Sequence, residues 1–201
     1  MFTFNDTARL QEAELIAELK AGNEAAFRML VETYQSKVYN TALVIVQQPE
    51  EAEDIAQEVF VEVYQTVGQF RQEAKLTTWL YRITTSKALA HLRKRKARKR
   101  VSFLTSLFGV NNEVLYNPPD FQHPGVSLEQ QEEMKTLFRA MDRLADTQKI
   151  AFTLHYLDEL SHREIAQILQ VSVSAVESLL HRAKQQLRKQ LTPFYNERKK
   201  P

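Results

Sequence analysis

The chain contains no cysteine, so disulfide frameworks and thiolate metal sites are both excluded, and its cysteine usage fits a reducing compartment. Glycine is almost as scarce. Four glycines in 201 residues leave little room for phosphate-cradling loops or a β-rich chain with many tight turns. Only one tryptophan is present, and no apolar run approaches the ~18 residues needed to span a bilayer. The start, MFTFNDTARLQEAEL, has neither a basic stretch nor an apolar core of the kind that directs export, so a soluble cytoplasmic protein is the expectation. The five histidines, at 91, 123, 155, 162 and 181, form neither an H-x-x-x-H nor an H-E-x-x-H pattern, and no nucleophile elbow occurs. Enzyme, metal and cofactor readings therefore have nothing to rest on.

What is present is helix-forming sequence with segregated charge. Stretches rich in Ala, Leu, Glu, Gln and Lys repeat their apolar residues at spacings of three and four, which predicts an all-α chain. The net charge of +2 conceals an acidic block followed by a basic one. Residues 1–70 hold 4 Lys and Arg against 12 Asp and Glu, residues 71–100 hold 11 against 1, and the remainder is balanced. Two adjacent blocks of opposite sign predict two different partners, the basic one facing a polyanion.

An N-terminal helical bundle is expected from about Leu10 to Arg100. Its first helix stops at Gly22, a residue able to take the left-handed conformation, and Asn23 caps the next. Phe27, Leu30, Val31, Tyr34, Val38, Ala42 and Val46 then form one stripe. The segment VYNTALVIV has strand propensity, but its helical neighbours and lack of pairing partners favour helix. After Pro49 comes a helix with acids in its first turn, an inner stripe of Ala52, Ile55, Ala56, Val59, Phe60 and Val63, and a closing Gly68. Asp54, Gln57, Glu58, Val61, Glu62 and Gln65 are left on its outer side. A further helix starts near Thr77, turns Trp79, Leu80 and Ile83 inward and runs into HLRKRKARKR. Cations following an aromatic-containing helix suit a nucleic-acid groove, and about six phosphate contacts would give a log–log salt slope of roughly −5. A solvated basic face is the alternative.

From Val101 to about Val126 the periodicity fails, with three of the six prolines and two of the four glycines, which predicts a docked linker. The last segment restarts at Ser127, whose spacing to Gln130 forms a capping box, and three or four helices follow. Ser161 and Glu164 make a second capping box, opening a short helix with Ile165, Ala166, Ile168 and Leu169 inward. A bend at Gln170 to Ser172 leads to a helix with Val176, Leu179, Leu180, Ala183 and Leu187 on its inner side. Small, polar and cationic residues occupy the other side, as on a helix that reads a major groove. The bend carries Gln170 where glycine is usual.

An acidic helix, an aromatic-then-basic helix and a C-terminal helix-turn-helix, in that order, resemble a bacterial extracytoplasmic-function (ECF) sigma factor of the sigma-70 family. The resemblance covers nearly the whole chain. EEAEDIAQEVFVEVYQ is similar to conserved region 2.2, FRQEAKLTTWLYRITTSKALAHLRKRK to regions 2.3 and 2.4, and LSHREIAQILQVSVSAVESLLHRAKQQL to region 4.2. The resemblance implies a region 2 domain over 1–100, a linker over 101–126 and a region 4 domain over 127–201. It implies that Asp54, Gln57, Glu58 and Val61 meet the clamp helices of the core RNA polymerase β′ subunit. It also implies that residues 70–95 receive the promoter −10 element, an unstacked base lying near residues 70–78. Arg71, Lys75, Thr78, Arg82, Lys87 and Arg93 are the strand-contact candidates, while Trp79 serves either core or strand. Ser172, Ser174, Glu177, Ser178, His181, Arg182 and Lys184 are the candidates for the −35 element. Glu177 and Leu179 depart from the Lys and Arg common in relatives, so base preference there is this chain's own. An anti-sigma partner is implied as well. The rival reading is a free-standing helix-turn-helix regulator that binds duplex DNA without polymerase.

Overall fold

Asn23 shows how the sequence sets its own helix boundaries: its side-chain oxygen accepts from the backbone N–H of Ala25 (2.9 Å) and Ala26 (3.4 Å) and opens a 23-residue helix. The computed structural model describes residues 4–107 and 128–198, with side chains placed over 11–100 and 132–196. Among the described residues there are eight α-helices and no strand: α1 (Phe4–Lys20), α2 (Glu24–Val46), α3 (Pro49–Thr66), α4 (Leu76–Leu107), α5 (Leu128–Asp142), α6 (Asp146–Tyr156), α7 (His162–Leu169) and α8 (Val173–Arg198). The architecture is the expected one, a helical bundle followed by a helix-turn-helix unit.

Gly22 ends α1 at φ 78°, with Asn23 N–H returning to Glu18 O (3.0 Å) and Gly22 N–H to Leu19 O (3.1 Å). VYNTALVIV is helical. It is buried on nearly every side because the end of α2 lies among α3, α4 and α6. Thr41, Ala42, Leu43, Ile45 and Val46 are all inside. Pro49 opens α3, and Ala52, Ile55, Val59, Phe60 and Val63 form its buried stripe. Gly68 does not act as a left-handed cap. A 3-10 turn over Val67–Gln69 carries the chain onward to Phe70.

Helix α4 begins at Leu76, whose N–H donates to the Glu12 carboxylate of α1 (2.9 Å). A carboxylate at a helix N-terminus satisfies an orphan donor and opposes the helix dipole. The helix continues to Leu107, seven residues past the expected boundary at Arg100. The rest of the expected linker, and the Ser127 end of its neighbouring capping box, lie outside the described residues.

In the C-terminal half, α5, α6 and α7 pack on α8. The Ser161–Glu164 capping box forms as expected: Glu164 N–H donates to Ser161 Oγ (3.3 Å) and Ser161 N–H to the Glu164 carboxylate (3.1 Å). Gln170 takes the left-handed conformation (φ 56°, ψ 45°), and Val171 N–H bonds Ala166 O (3.1 Å). This is the geometry of a glycine-ended helix, built with glutamine.

The core is shared between the halves. Leu30, Val46, Ile55, Leu76, Leu80 and Leu92 belong to the same buried cluster as Ile150, Leu154, Ile165, Ile168, Val176 and Leu180. Helix α2 packs on α6, and α4 packs on α7.

Candidate nucleic-acid interface

Three exposed surfaces emerge from this packing. The first is the outer face of α3, where Asp54, Gln57, Glu58 and Val61 are all exposed, as the helical stripe predicts. Val61 is 55% exposed, an apolar side chain among carboxylates and an amide. Tyr64, three residues on, extends the face. It is 60% exposed and stands edge-on to Phe27 at 5.2 Å. Sequence reasoning missed Tyr64, although its spacing from Val61 carries the signal.

The second surface is a cleft of about 850 Å³ along the first half of α4, lined by Phe70, Arg71, Thr78, Trp79 and Arg82. Phe70 and Trp79 stack with ring centroids 4.6 Å apart, so Trp79 belongs to both the core edge and the cleft lining. Arg71 and Arg82 are exposed at its rim, and Thr78 is buried at 6% exposure. An aromatic pair flanked by guanidinium groups is the chemistry that holds an unstacked base and its phosphates. Gln167 of α7 and Gln170, which ends that helix, line the same cleft, which sequence alone did not reveal because they come from the other half.

The cations of α4 divide into two groups. Lys87 pairs with Glu62 (3.0 Å) and Glu58 (3.5 Å), His91 lies 3.4 Å from Glu58, and Arg95 lies 3.4 Å from Glu51 and donates to Val46 O (2.9 Å). Spacings of four place these three residues on one stripe facing α3. Its hydrogen bond to Glu62 leads the effects that hold the Lys87 ammonium above its usual range. Lys75 is exposed but bonded to Glu164 (3.0 Å). Hydrogen bonds from Ser161 are the main reason the Glu164 carboxyl lies below the usual carboxylate range, with Lys75 adding to them. Arg71, Arg82 and Arg93 are exposed and form no ion pair among the described residues. The expected strand-contact set thus contains free, paired and buried members.

The third surface is the outer face of α8. Ser172, Ser174, Glu177, Ser178, His181, Arg182 and Lys184 are all exposed, while Val176, Leu180, Ala183 and Leu187 are buried. Ser172 also acts locally, where its Oγ accepts from Ala175 N–H (3.2 Å) and caps α8. Lys184 lies over the Tyr156 ring, 5.0 Å from its centroid. Among the described residues no cluster of His, Asp and Glu could hold a metal ion, and no helix is long and apolar enough to cross a membrane.

A helical bundle with an acidic outer face and a cationic aromatic cleft, followed by a helix-turn-helix with an exposed polar face, is the architecture of a sigma-70-type transcription initiation factor. Family models agree: Sigma-70 region 2 matches residues 30–98 and Sigma-70 region 4 matches residues 135–187. The chain belongs to the ECF RNA polymerase sigma factor family. It is 33% identical to the ECF RNA polymerase sigma factor SigW of Bacillus subtilis, covering 88% of this chain and 94% of that protein. It is 31% identical to the RNA polymerase sigma-H factor of Pseudomonas aeruginosa, covering 93% and 97%. The sigma-E factor of Escherichia coli K12 is 30% identical, covering 92% and 97%. The fold matches CnrH, solved in complex with the cytosolic domain of CnrY (TM-score 0.65, 20% identity, 90% of this chain and 97% of that one). It also matches the sigma factor RpoE of Bartonella quintana, solved with the anti-sigma factor NepR (TM-score 0.64, 20% identity, 83% and 96%).

Proposed function

We propose that this chain binds core RNA polymerase through the outer face of α3 and directs initiation at promoters whose −10 and −35 elements it reads with α4 and α8. One observation carries the reading: three chemically distinct surfaces lie on three different helices, in the order that a polymerase contact, a strand contact and a duplex contact require. Asp54, Gln57, Glu58 and Val61 form the polymerase contact, with Tyr64 at its edge. Residues 1–100 act as the polymerase and −10 unit, 101–126 as the connection, and 127–201 as the −35 unit.

Arg71, Lys75, Thr78, Arg82, Lys87 and Arg93 serve the −10 strand in different ways. Arg71, Arg82 and Arg93 are free to meet phosphates, whereas Lys75 and Lys87 must exchange a carboxylate for one. Extracting a base from the stack costs a few kcal/mol. The Phe70–Trp79 stack beneath exposed arginines is suited to offset that cost. In the duplex contact, Ser174, Glu177, Ser178, His181 and Arg182 present donors and acceptors to base edges, and Ser172 and Lys184 flank them. The chain makes no bond itself, since the polymerase supplies the chemistry, and it acts in the cytoplasm. An anti-sigma protein that covers these surfaces is the expected regulator.

The test is transcription of fragmented genomic DNA from the source organism by bacterial core polymerase with and without the protein. New transcripts whose 5′ ends share two upstream motifs at fixed spacing are expected. If those ends do not appear and the protein alone binds a palindromic duplex tightly, the chain is a free-standing regulator instead.

A further inference from the structure

Glu177 is the only acid between Val173 and Asn196, and it stands on the face of α8 assigned to the −35 duplex. Its side chain is 59% exposed, and Ser174, Ser178 and His181 are exposed beside it. Nothing in the helix itself asks for an acid there. Glu177 is the fifth residue of α8, past the first turn in which the helix dipole favours carboxylates. Nor does a cation of α8 hold it, since its ion-pair partner among the described residues is His162, the first residue of α7.

A carboxylate facing a groove between phosphates is repelled unless a donor meets it. An ionised carboxylate only accepts hydrogen bonds, so the base edge opposite must donate. Guanine presents N7 and O6, both acceptors, and thymine presents O4 and a methyl group. Adenine donates from N6 but places the N7 acceptor next to it, against the second carboxylate oxygen. Cytosine alone presents the N4 donor with no acceptor beside it on the same base.

The position of the carboxylate is set from the neighbouring helices. His162 Nδ1 lies 3.8 Å from Glu177 Oε1, too long for a hydrogen bond but close enough for a protonated imidazole to attract it. His155 of α6 backs that ring, with centroids 4.9 Å apart. His155 is in turn anchored, its Nδ1 2.9 Å from Leu160 O, where a carbonyl can only accept and the nitrogen must donate. The first helix of a helix-turn-helix crosses the DNA backbone, so a cation at the start of α7 also offsets phosphate repulsion of Glu177.

We infer that Glu177 selects a cytosine in the −35 element by accepting from its N4 amino group, and that His162 is the positioning residue that aims the carboxylate. This names the base read by one residue of the duplex contact, and it rests on the sigma-factor reading above.

The test uses the full chain in holoenzyme with bacterial core polymerase. A promoter recovered from the genomic transcription reaction is randomised through its −35 region, each template carrying a transcribed barcode. Parent transcripts should favour cytosine at one −35 position by at least about fivefold over each other base. Glu177→Gln, whose amide both donates and accepts, should move the preference at that position to adenine, where N6 and N7 can be met together. His162→Ala should reduce the cytosine preference about threefold and His162→Lys should restore it, while His162→Ala should change nothing further in the Glu177→Gln background. The same favoured −35 sequence from parent and Glu177→Gln overturns the inference, and so does a responding position that is not cytosine in the parent. Equal effects of His162→Ala in the two backgrounds overturn the positioning role. If the parent holoenzyme yields no new transcript from any genomic template, the sigma-factor reading falls and this one with it, whereas a −35 motif indifferent to Glu177 leaves that reading standing.

Discussion

At the scale of the residue, the most informative positions are those whose surroundings come from far along the chain. Gln170 was legible: the capping box, the apolar spacing and the bend required a left-handed residue there, and glutamine adopts it. Asp158 was not legible, because its neighbours are Thr41 and Lys37 of α2 and Tyr81 of α4. Burial raises its carboxyl to about 6, although the Thr41 and Tyr81 hydroxyls and the Lys37 charge favour the ionised form. Tyr81, itself buried, lies in the field of the same carboxylate, and Glu164 of α7 adds a second negative charge nearby. The Asp158 proton is therefore bound more tightly in the folded state. Ionised Asp158 opposes the fold at neutral pH, and this cost is removed as pH falls through about 6 towards the unfolded carboxylate value. Asp158→Asn should be more stable than the parent at pH 7.5, by about 1–2 kcal/mol, with the gap narrowing below pH 6 and closing only at about pH 4. Paired thermal melts across that range would measure it, and a constant gap would contradict the burial argument.

Lys87 and Arg93 give a second prediction at this scale. Both are cations of α4, but Lys87 already neutralises Glu58 and Glu62 while Arg93 stands free. Removing a free phosphate contact should reduce the magnitude of the log–log salt slope of promoter binding by about 1. Arg93→Ala in the holoenzyme should show that reduction, and Lys87→Ala a smaller one. Equal changes would mean that the α3 carboxylates release Lys87 completely on DNA.

At the scale of the element, helix identity was written in periodicity and most ends in caps, whereas the fixing of α4 in place was not. Glu12 sits 64 residues before Leu76, and nothing in its local sequence marks it as the cap of α4. The same holds for the α3–α4 charge stripe. His91 and Arg95 read as part of a basic run and Lys87 as a strand-contact candidate, and only the packing shows that they turn to Glu58, Glu62 and Glu51. The extension of α4 to Leu107 arises because the basic run lacks a helix stop until after the expected boundary. Glu12→Ala should cost about 1 kcal/mol and speed amide exchange at Leu76 and the first turn of α4. Unchanged exchange there would remove α1 from the positioning of the cleft.

At the scale of the whole molecule, the order of functional surfaces was readable and their arrangement was not. Charge blocks, the aromatic-basic helix and the helix-turn-helix pattern are local properties that survive in sequence. The shared core is not local: α2 and α4 bury residues against α6 and α7 across the connection, and each contributing residue resembles ordinary core when read alone. The central claim is that the acidic face of α3 captures core polymerase. Its most direct test is a fluorescence-anisotropy titration of labelled protein with bacterial core RNA polymerase, comparing the parent with Asp54→Lys and Gln57→Ala. Saturable binding, weakened at least tenfold by Asp54→Lys and less by Gln57→Ala, is the expected result. No binding by folded parent protein, while a control sigma factor binds the same polymerase, would contradict the account.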